Sequence, residues 1–462
     1  DEQTGLHVRS GQELTHFKLH PGEEVRTPLV VLQFYQGDCI RAQNIWRRWM
    51  QAHNLPRPGG KLPEPILSSC SGGFFPGLMC NEADEKRFID TFTAERIKLD
   101  YWWMDAGWYP CDGVGWPLTG TWKVDRKRFP NGIRAVTDHG HAKGLKHILW
   151  FEPERVHPGT ELYEKHPQWL LGADGNQKLL NLGNVEARKW LTDHIDKMLT
   201  EEGIDLYRQD HNIDPLAFWR GNDSKDRQGI TEIRYVEGYL AYWDELRRRH
   251  PDMLIDSCAS GGRRNDLETL RRSLPMLRSD YHSFQGDSSF AAGNQGQTYG
   301  LALWVPFFGT GVYYNIKDHP VYVARSSFCP GFGYCRDVRK EGTDWDLIRR
   351  ITGDWRKIST FFSGDYYPLT KYGLADDQWI AWQFHRADLD GGVVQAFRRP
   401  GSVYESARLK LHGLNPEAKY TLMNLDSPEK TKATGRQLME EGLLIIAKQC
   451  PSAPIVIYQR EK

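Results

Sequence analysis

Between about residues 66 and 364 the chain alternates short apolar runs with longer amphipathic segments. The apolar runs are Ile66–Cys70, Leu99–Met104, His147–Phe151, Ile204–Tyr207, Met253–Ser257 and Pro275–Arg278, followed by two less sharply bounded ones near Val305–Phe308 and Gly331–Tyr334. Runs of this length bounded by polar residues fit strands buried on both faces. The segments between them, Ala83–Lys98, Ile133–Lys143, Ala187–Glu202, Ile230–His250, Asp266–Ser273 and Asp346–Phe362, read as helices. In Ala187–Glu202, for example, Trp190, Leu191, Ile195 and Leu199 fall on one stripe at helical spacing. Strand and helix in strict alternation predict parallel βα units. About eight of them in ~300 residues predict a closed (β/α)8 TIM barrel, and the chain carries no G-x-G-x-x-G run to favour an open dinucleotide-binding sheet.

The pattern changes on either side of this block. From Phe17 to Phe34 the residues alternate, with Pro21-Gly22 as a turn and Leu29–Phe34 as a strand, and a helix from Asp38 to about Ala52 follows. Two strands make no stable domain. Residues 1–55 are therefore expected to be the remnant of a larger N-terminal β domain plus a linker helix, with the barrel occupying 56–364 after the Pro/Gly-rich stretch Pro56–Pro65. From 365 to 462 the runs Trp379–Gln383, Gly392–Ala396, Ala407–Leu411, Tyr420–Met423, Leu443–Ala447 and Ile455–Tyr458, separated by turns such as Asp390-Gly391-Gly392, predict a C-terminal antiparallel β-sandwich.

Composition narrows the partners. Lys+Arg and Asp+Glu are equal at 60 each, so no global field attracts nucleic acid or an anionic membrane. No apolar run approaches the ~20 residues that cross a bilayer. The expected partner is a neutral small molecule, and the 17 tryptophans supply flat apolar rings of the kind that sugar faces stack on, although most of them fit a core. Eight cysteines with no C-x-x-C pair and no Cys/His cluster predict neither a structural metal nor a cofactor, and their scatter fits a reducing compartment better than a disulfide framework. The opening Asp1, with no charged and apolar leader after it, reads as a processed or trimmed terminus.

The ends of the proposed strands carry the chemistry. Asp105 follows Tyr101–Met104, Glu152 and Glu154 follow Leu149-Trp150-Phe151, Asp210 ends Ile204–Asp210, Cys258 ends the fifth run and Asp280 the sixth. Read alone, a strand-end acid such as Asp210 is more often a helix cap or an ion-pair partner, here of Arg208. The convergence shifts that balance, because catalytic groups of such barrels sit at the C-terminal strand ends and unpaired buried carboxylates are costly. A salt-bridge network with Arg155, Arg208, Arg263, Arg264 and Arg278 is the structural alternative. Several acids with Trp103, Trp108 and Trp150 nearby suit hydrolysis of a neutral polyhydroxylated substrate, for which two carboxyls suffice.

Five segments then resemble glycoside hydrolase family 36, the melibiase-type α-galactosidases, in the right order. They are D-A-G-W at Asp105–Trp108, L-W-F-E-P-E at Leu149–Glu154, Y-R-Q-D-H-N at Tyr207–Asn212, C-A-S-G-G-R-R at Cys258–Arg264 and R-S-D-Y at Arg278–Tyr281. The resemblance runs from about residue 15 to the end. It implies a catalytic barrel between an N-terminal β-sandwich and a C-terminal β domain, and a retaining double displacement on terminal α-linked galactose-type sugars of a small molecule or oligosaccharide. Asp210 resembles the nucleophile and Asp280 the acid/base. Asp105 matches an acid that grips the 4- and 6-side hydroxyls, Trp150 a pocket wall, and Cys258 with Gly261 a turn on the 2-hydroxyl. Trp108, Glu152, Arg208, Asn212 and Arg278, in the same motifs, are expected to contact substrate. From the residues alone Asp105 reads equally as a helix cap and Cys258 as a small buried side chain. Oligomerisation among relatives carries an expectation of self-association.

Physical chemistry asks the same of the two acids. Asp280 must hold its proton at working pH, while Arg208 should keep Asp210 ionised. Arg278, beside Asp280, opposes this unless it points elsewhere. Two departures from the family pattern bear on the sugar: many members have D-D-G-W where this chain has Asp105-Ala106, and K-W-D where it has Arg208-Gln209-Asp210. An α-N-acetylgalactosaminidase, a galactosaminidase or an enzyme for arabinopyranosides is the alternative within the class. A catalytically silent sugar-binding protein is the alternative outside it.

Overall fold

The computed structural model describes residues 7–281, 289–316 and 318–461. Seven parallel strands form its centre: β1 (Ile66–Cys70), β2 (Tyr101–Met104), β3 (Lys146–Phe151), β4 (Leu206–Gln209), β5 (Leu254–Ser257), β6 (Gly309–Val312) and β7 (Gly331–Tyr334). They lie in the order β5-β4-β3-β2-β1-β7-β6. Residues 274–278 close the ring between β5 and β6. The Leu274 amide donates to Ile255 O (2.9 Å) and the Ser257 amide to Leu274 O (3.0 Å), while on the other side Gly309 donates to Pro275 O (2.7 Å) and Arg278 to Gly309 O (2.9 Å). The result is the expected (β/α)8 barrel, its sixth position held by this short irregular segment.

Side chains alternate between two packed regions. Ile66, Cys70, Tyr101, Trp103, Ile148, Leu206, Leu254, Leu274 and Met276 pack together inside the barrel. The intervening Leu67, Trp102, Leu149, Tyr207, Ile255 and Phe332 face the outer helices. The period of two thus places Arg208 and Asp210 on the inner face with Leu206, and Tyr207 and Gln209 on the outer.

The helices include α1 (Cys39–Trp49), α2 (Glu82–Ala94), α3 (Arg134–His141), α4 (Val185–Glu202), α5 (Ile230–Arg249), α6 (Ser289–Leu301), α7 (Pro320–Ser326) and α8 (Trp345–Ser359). Asp38, Asn81, Asn184 and Asp344 accept hydrogen bonds from first-turn amides of α1, α2, α4 and α8. After β3 a small antiparallel sheet interrupts the barrel, with Arg155–Val156 and Leu170–Leu171 on either side of Lys178–Leu180.

The C-terminal part is antiparallel throughout. β8 (Asp365–Pro368), β9 (Trp379–Arg386), β10 (Gly391–Arg398), β12 (Lys419–Asn424), β13 (Lys430–Thr434) and β15 (Ile455–Arg460) form a sheet in the order β8-β9-β10-β15-β12-β13, and β11 (Ser406–Leu409) pairs with β14 (Leu443–Ile446). Trp379, Val394, Leu422 and Val456 of the first sheet pack against Leu409, Leu443 and Ile445 of the second.

Two expectations are corrected. Leu29–Phe34 is not a strand: no strand among the described residues lies beside it, and Leu29, Val30, Leu32 and Phe34 are exposed. The opening segment is held instead by a two-residue pairing of His16–Phe17 with Arg227–Gln228 and by ion pairs of Glu23 with Arg227 and Arg234. The strand expected near Val305–Phe308 lies four residues later, at Gly309–Val312.

Candidate active site at the strand ends

At the C-terminal ends of the strands the barrel opens into a cavity of about 350 Å³ lined by Cys70, Gly73, Leu78, Trp103, Asp105, Trp116, Arg155, Arg208, Asp210, Asn212, Leu277, Asp280, Tyr313 and Tyr314. Five of the residues expected at the site, Asp105, Arg208, Asp210, Asn212 and Asp280, are brought together here.

Asp210 continues β4, and its backbone amide donates to Phe151 O (2.8 Å). One carboxylate oxygen accepts from the His211 amide (2.7 Å) and the Ser260 amide (3.2 Å), the other from Trp150 Nε1 (3.2 Å). Burial pushes this carboxyl up, but Arg208, Asn212, His211 and Cys258 outweigh it and hold it below the usual aspartate range. Arg208 lies two residues back on the same face, ion-paired with Asp256 and stacked over Trp103 with its guanidinium carbon 4.2 Å from the ring centroid. Coulombic attraction to Asp256, Asp105 and Asp210 keeps it protonated despite burial.

Asp280 follows the segment at the sixth position. Burial and the charge of Asp210 push its carboxyl above the ordinary range, against the pull of Arg208 and Arg263. Burial likewise raises Asp105, whose Oδ1 accepts from the Ala106 amide (2.8 Å). One cavity thus holds one acid kept ionised and two disposed to keep their protons.

Cys258 and Gly261 form the turn that ties these pieces. The Gly261 amide donates to Cys258 Sγ (3.3 Å), and Gly261 has φ +86°, with a Cβ there falling 2.7 Å from Ser279 Cα and 3.1 Å from the Asp280 amide nitrogen. Only glycine fits so close under the Asp280 backbone. Ser260, between them, donates its hydroxyl to Asn212 Oδ1 (2.6 Å).

Other expected site residues stand outside the cavity. Trp108 is fully buried and donates to Trp150 O (2.8 Å), and the buried Trp150 supports the cavity from behind through its bond to Asp210 and its edge-on contact with Trp116. Glu152 lies behind the wall, accepting from the Asn212 amide (2.5 Å), Asn212 Nδ2 (3.1 Å) and Arg155 Nη2 (2.5 Å), and burial raises its pKa to about 7. Arg278 points away from Asp280 to the helix side, where it donates to Gln297, to Thr298 and to Asn294 O and lies over Phe308. The ion-pair reading holds for Glu154, both of whose oxygens Arg264 grips (2.7 and 2.8 Å), and for Glu152 with Arg155 (2.5 Å). Trp116, Tyr313 and Tyr314 were not expected at the site. The two tyrosines directly follow Gly309–Val312, so a correctly placed sixth strand would have put them at its tip. Trp116 lies in a Gly- and Pro-rich loop with no strand end to mark it.

Among the described residues no group of three or more His, Cys, Asp or Glu is arranged to hold a metal ion, and no helix is long and apolar enough to cross a membrane. All eight cysteines are free, with Cys70 Sγ and Cys335 Sγ 3.2 Å apart in the barrel interior.

Comparison with known proteins gives the arrangement a lineage. The Melibiase family model matches residues 81–283, which span β2 to Asp280, and the glycosyl hydrolase family 36 C-terminal domain model matches 379–453. The chain belongs to glycoside hydrolase family 36. It is 30% identical over 277 residues to α-galactosidase Mel36A of Lactobacillus acidophilus, an alignment covering 58% of this chain and 37% of that protein. With α-galactosidase 1 of Pediococcus pentosaceus it shares 24% identity over 442 residues, 91% of this chain and 58% of the relative. The chain thus spans about half the length of the curated relatives it matches. In fold it follows the family 36 α-galactosidase AgaA of Geobacillus stearothermophilus, solved as a double variant with raffinose: TM-score 0.79 at 20% identity, covering 92% of this chain and 59% of that one.

Against the family 36 pattern, the two departures have distinct placements. Ala106 is buried at the strand end and offers no second acid to the cavity. Gln209 faces the helices, donating to Glu154 (2.7 Å) and accepting from Tyr207 and Trp243, so of that pair only Arg208 meets the cavity.

Proposed function

We propose that the chain carries the active site of a retaining, exo-acting α-galactosidase, with Asp210 as nucleophile and Asp280 as acid/base. The observation that carries this reading is the opposite bias of the two acids around one cavity: Arg208 favours the carboxylate at Asp210, and burial beside Asp210 favours the acid form at Asp280. In the first step Asp210 attacks the anomeric carbon, the glycosidic C–O bond breaks and Asp280 gives its proton to the leaving oxygen. In the second, Asp280 takes a proton from water, whose oxygen attacks the same carbon and releases Asp210. A cavity at the small end of the range for small-molecule sites suits one terminal sugar rather than a threaded chain. Relatives named α-galactosidases, and the raffinose and stachyose bound in solved structures of AgaA variants, support oligosaccharides ending in α-galactose as the substrate class.

The test uses a panel of aryl α-glycosides. Asp210→Ala should abolish α-galactoside hydrolysis and azide should restore part of it as the glycosyl azide, while ¹H NMR of the wild-type reaction should show the α-anomer formed first. Undiminished turnover in Asp210→Ala, or the β-anomer first, refutes the assignment. The same panel separates N-acetylgalactosaminides, galactosaminides and arabinopyranosides from galactosides.

A further inference from the structure

One stretch of the cavity wall is built by residues outside the five motifs. Arg155 lies in a short strand paired antiparallel with Lys178–Leu180, directly opposite Leu179, so its backbone is fixed. The loop carrying Trp116 is stitched to that strand. The Thr119 hydroxyl donates to Arg155 O (2.5 Å), the His157 amide to Thr119 O (2.9 Å) and the Thr119 amide to His157 Nδ1 (3.1 Å). The Trp116 ring meets Trp150 edge-on at 5.9 Å between centroids, and Trp150 in turn donates to Asp210. Both side chains are therefore mounted on the frame that holds the proposed nucleophile.

Their exposure and bonding differ from those of the floor. Trp103, Arg208 and Cys70 are buried, whereas Trp116 is 46% exposed, and Val114 and Leu118 on its loop are exposed too. Asp280, which lines the same cavity, is also only partly buried. Arg155 is held from one direction only: Nη2 donates to Glu152, while Nε is buried with no hydrogen-bond partner among the described residues. An aromatic face and an arginine fork lining one cavity match a pyranose ring, which offers an apolar C–H face and a rim of hydroxyls.

We propose that Trp116 and Arg155 form a binding subsite for the leaving sugar, Trp116 stacking on its apolar face and Arg155 donating to its hydroxyls. The inference rests on the reading of the cavity as an α-galactosidase site, in which the leaving oxygen lies toward Asp280 and so toward the open side. Glu152 is then a positioning residue, holding Asn212 with both oxygens and aiming Arg155 with one of them. The subsite makes the chain selective for glycosyl over small leaving groups.

Melibiose, which has a leaving glucose, and α-galactosyl fluoride, which has none, separate the two parts of the cavity. The ratio of their kcat/KM values should fall at least tenfold in Trp116→Ala and severalfold in Arg155→Met. Ratios within twofold of wild type in both variants overturn the subsite. Calorimetry on the inactive Asp210→Ala protein gives a readout that needs no turnover: it should bind melibiose more tightly than galactose, and adding Trp116→Ala should erase the difference. Equal affinities in Asp210→Ala also overturn it. A wild-type protein that prefers melibiose in binding but hydrolyses neither substrate refutes the hydrolase reading and leaves the subsite standing.

Discussion

Arg208 sits where three demands meet. It neutralises Asp256 in the barrel interior, stacks on Trp103, and lowers the carboxyls of Asp210, Asp280 and Asp105. Free-enzyme activity needs Asp210 ionised and Asp280 protonated, so kcat/KM should fall as pH drops through the depressed pKa of Asp210 and fall again as pH rises through the raised pKa of Asp280. Removing the cation in Arg208→Met raises both pKa values, and both limbs of the pH profile should move to higher pH. The same change strands Asp256 without its partner and should cost about 3–5 kcal/mol in stability by denaturant titration. An acid limb that stays in place would show that Arg208 does not set the Asp210 charge. A lysine could supply the charge but not the planar surface over Trp103, which is the physical content of the departure noted at this position.

At the scale of elements, the turn Cys258–Gly262 and the segment at the sixth barrel position act as one piece, because Gly261 lies against Ser279 and Asp280. Gly261→Ala should displace Asp280 and lower kcat about tenfold, equivalent to about 1.4 kcal/mol in the barrier, with a far-UV spectrum like that of wild type. A tenfold drop in KM-dependent binding alone, with kcat intact, would place the turn in substrate contact rather than in support of the acid. The elements most legible in the sequence were those whose burial expresses itself as apolar runs, such as β1, β3 and β5, and the acids Asp105, Asp210 and Asp280 were found because they end such runs. β6 was misplaced because it reads Gly-Thr-Gly-Val. A Cβ at Gly309 would lie 2.0 Å from Met276 O and one at Gly311 2.3 Å from Gly333 O, so close backbone approach demands residues with no strand signature. α6 was missed for a related reason. Its Gly293 and Gly296 admit Tyr281 and the Tyr372–Leu374 region against the helix, and no charged stripe marks its outer face. Arg278 is expected at the site because it shares the R-S-D-Y motif with Asp280, whereas its helix-side partners are set by tertiary packing.

Across the whole molecule, two buried arginines join the barrel to what flanks it. Arg47 of α1 donates to Ala302 O (2.6 Å), Phe362 O (3.1 Å) and Gly364 O (2.9 Å), tying the helix before the barrel to the start of the C-terminal sheet. Arg325 of α7 pairs with Asp354 of α8 (2.8 Å) and with Asp426 after β12 (2.7 Å), and donates to Ala453 O (2.8 Å). Arg325→Met removes this arginine's interdomain bonds and leaves the buried Asp354 with Lys357 as its remaining ion-pair partner among the described residues. The expected result is a loss of about 3–5 kcal/mol, seen in calorimetry as a single unfolding transition resolving into two. A single transition at the wild-type temperature would mean that the other contacts between the domains, among them Arg399 donating to Gln295 (2.9 Å), suffice to couple them. The inner and outer alternation of the barrel strands has a further consequence, for the lengths the chain can tolerate. Deleting or inserting one residue within β4 would exchange the faces of Arg208 and Gln209 and turn Asp210 from the cavity toward the helices. The Trp116 loop has no such parity to keep. Lineages of this fold can therefore lengthen and shorten the rim loops freely while the strands beneath them stay locked in residue count, and changes of leaving group should arise as insertions in the loops long before they arise as substitutions in the strands.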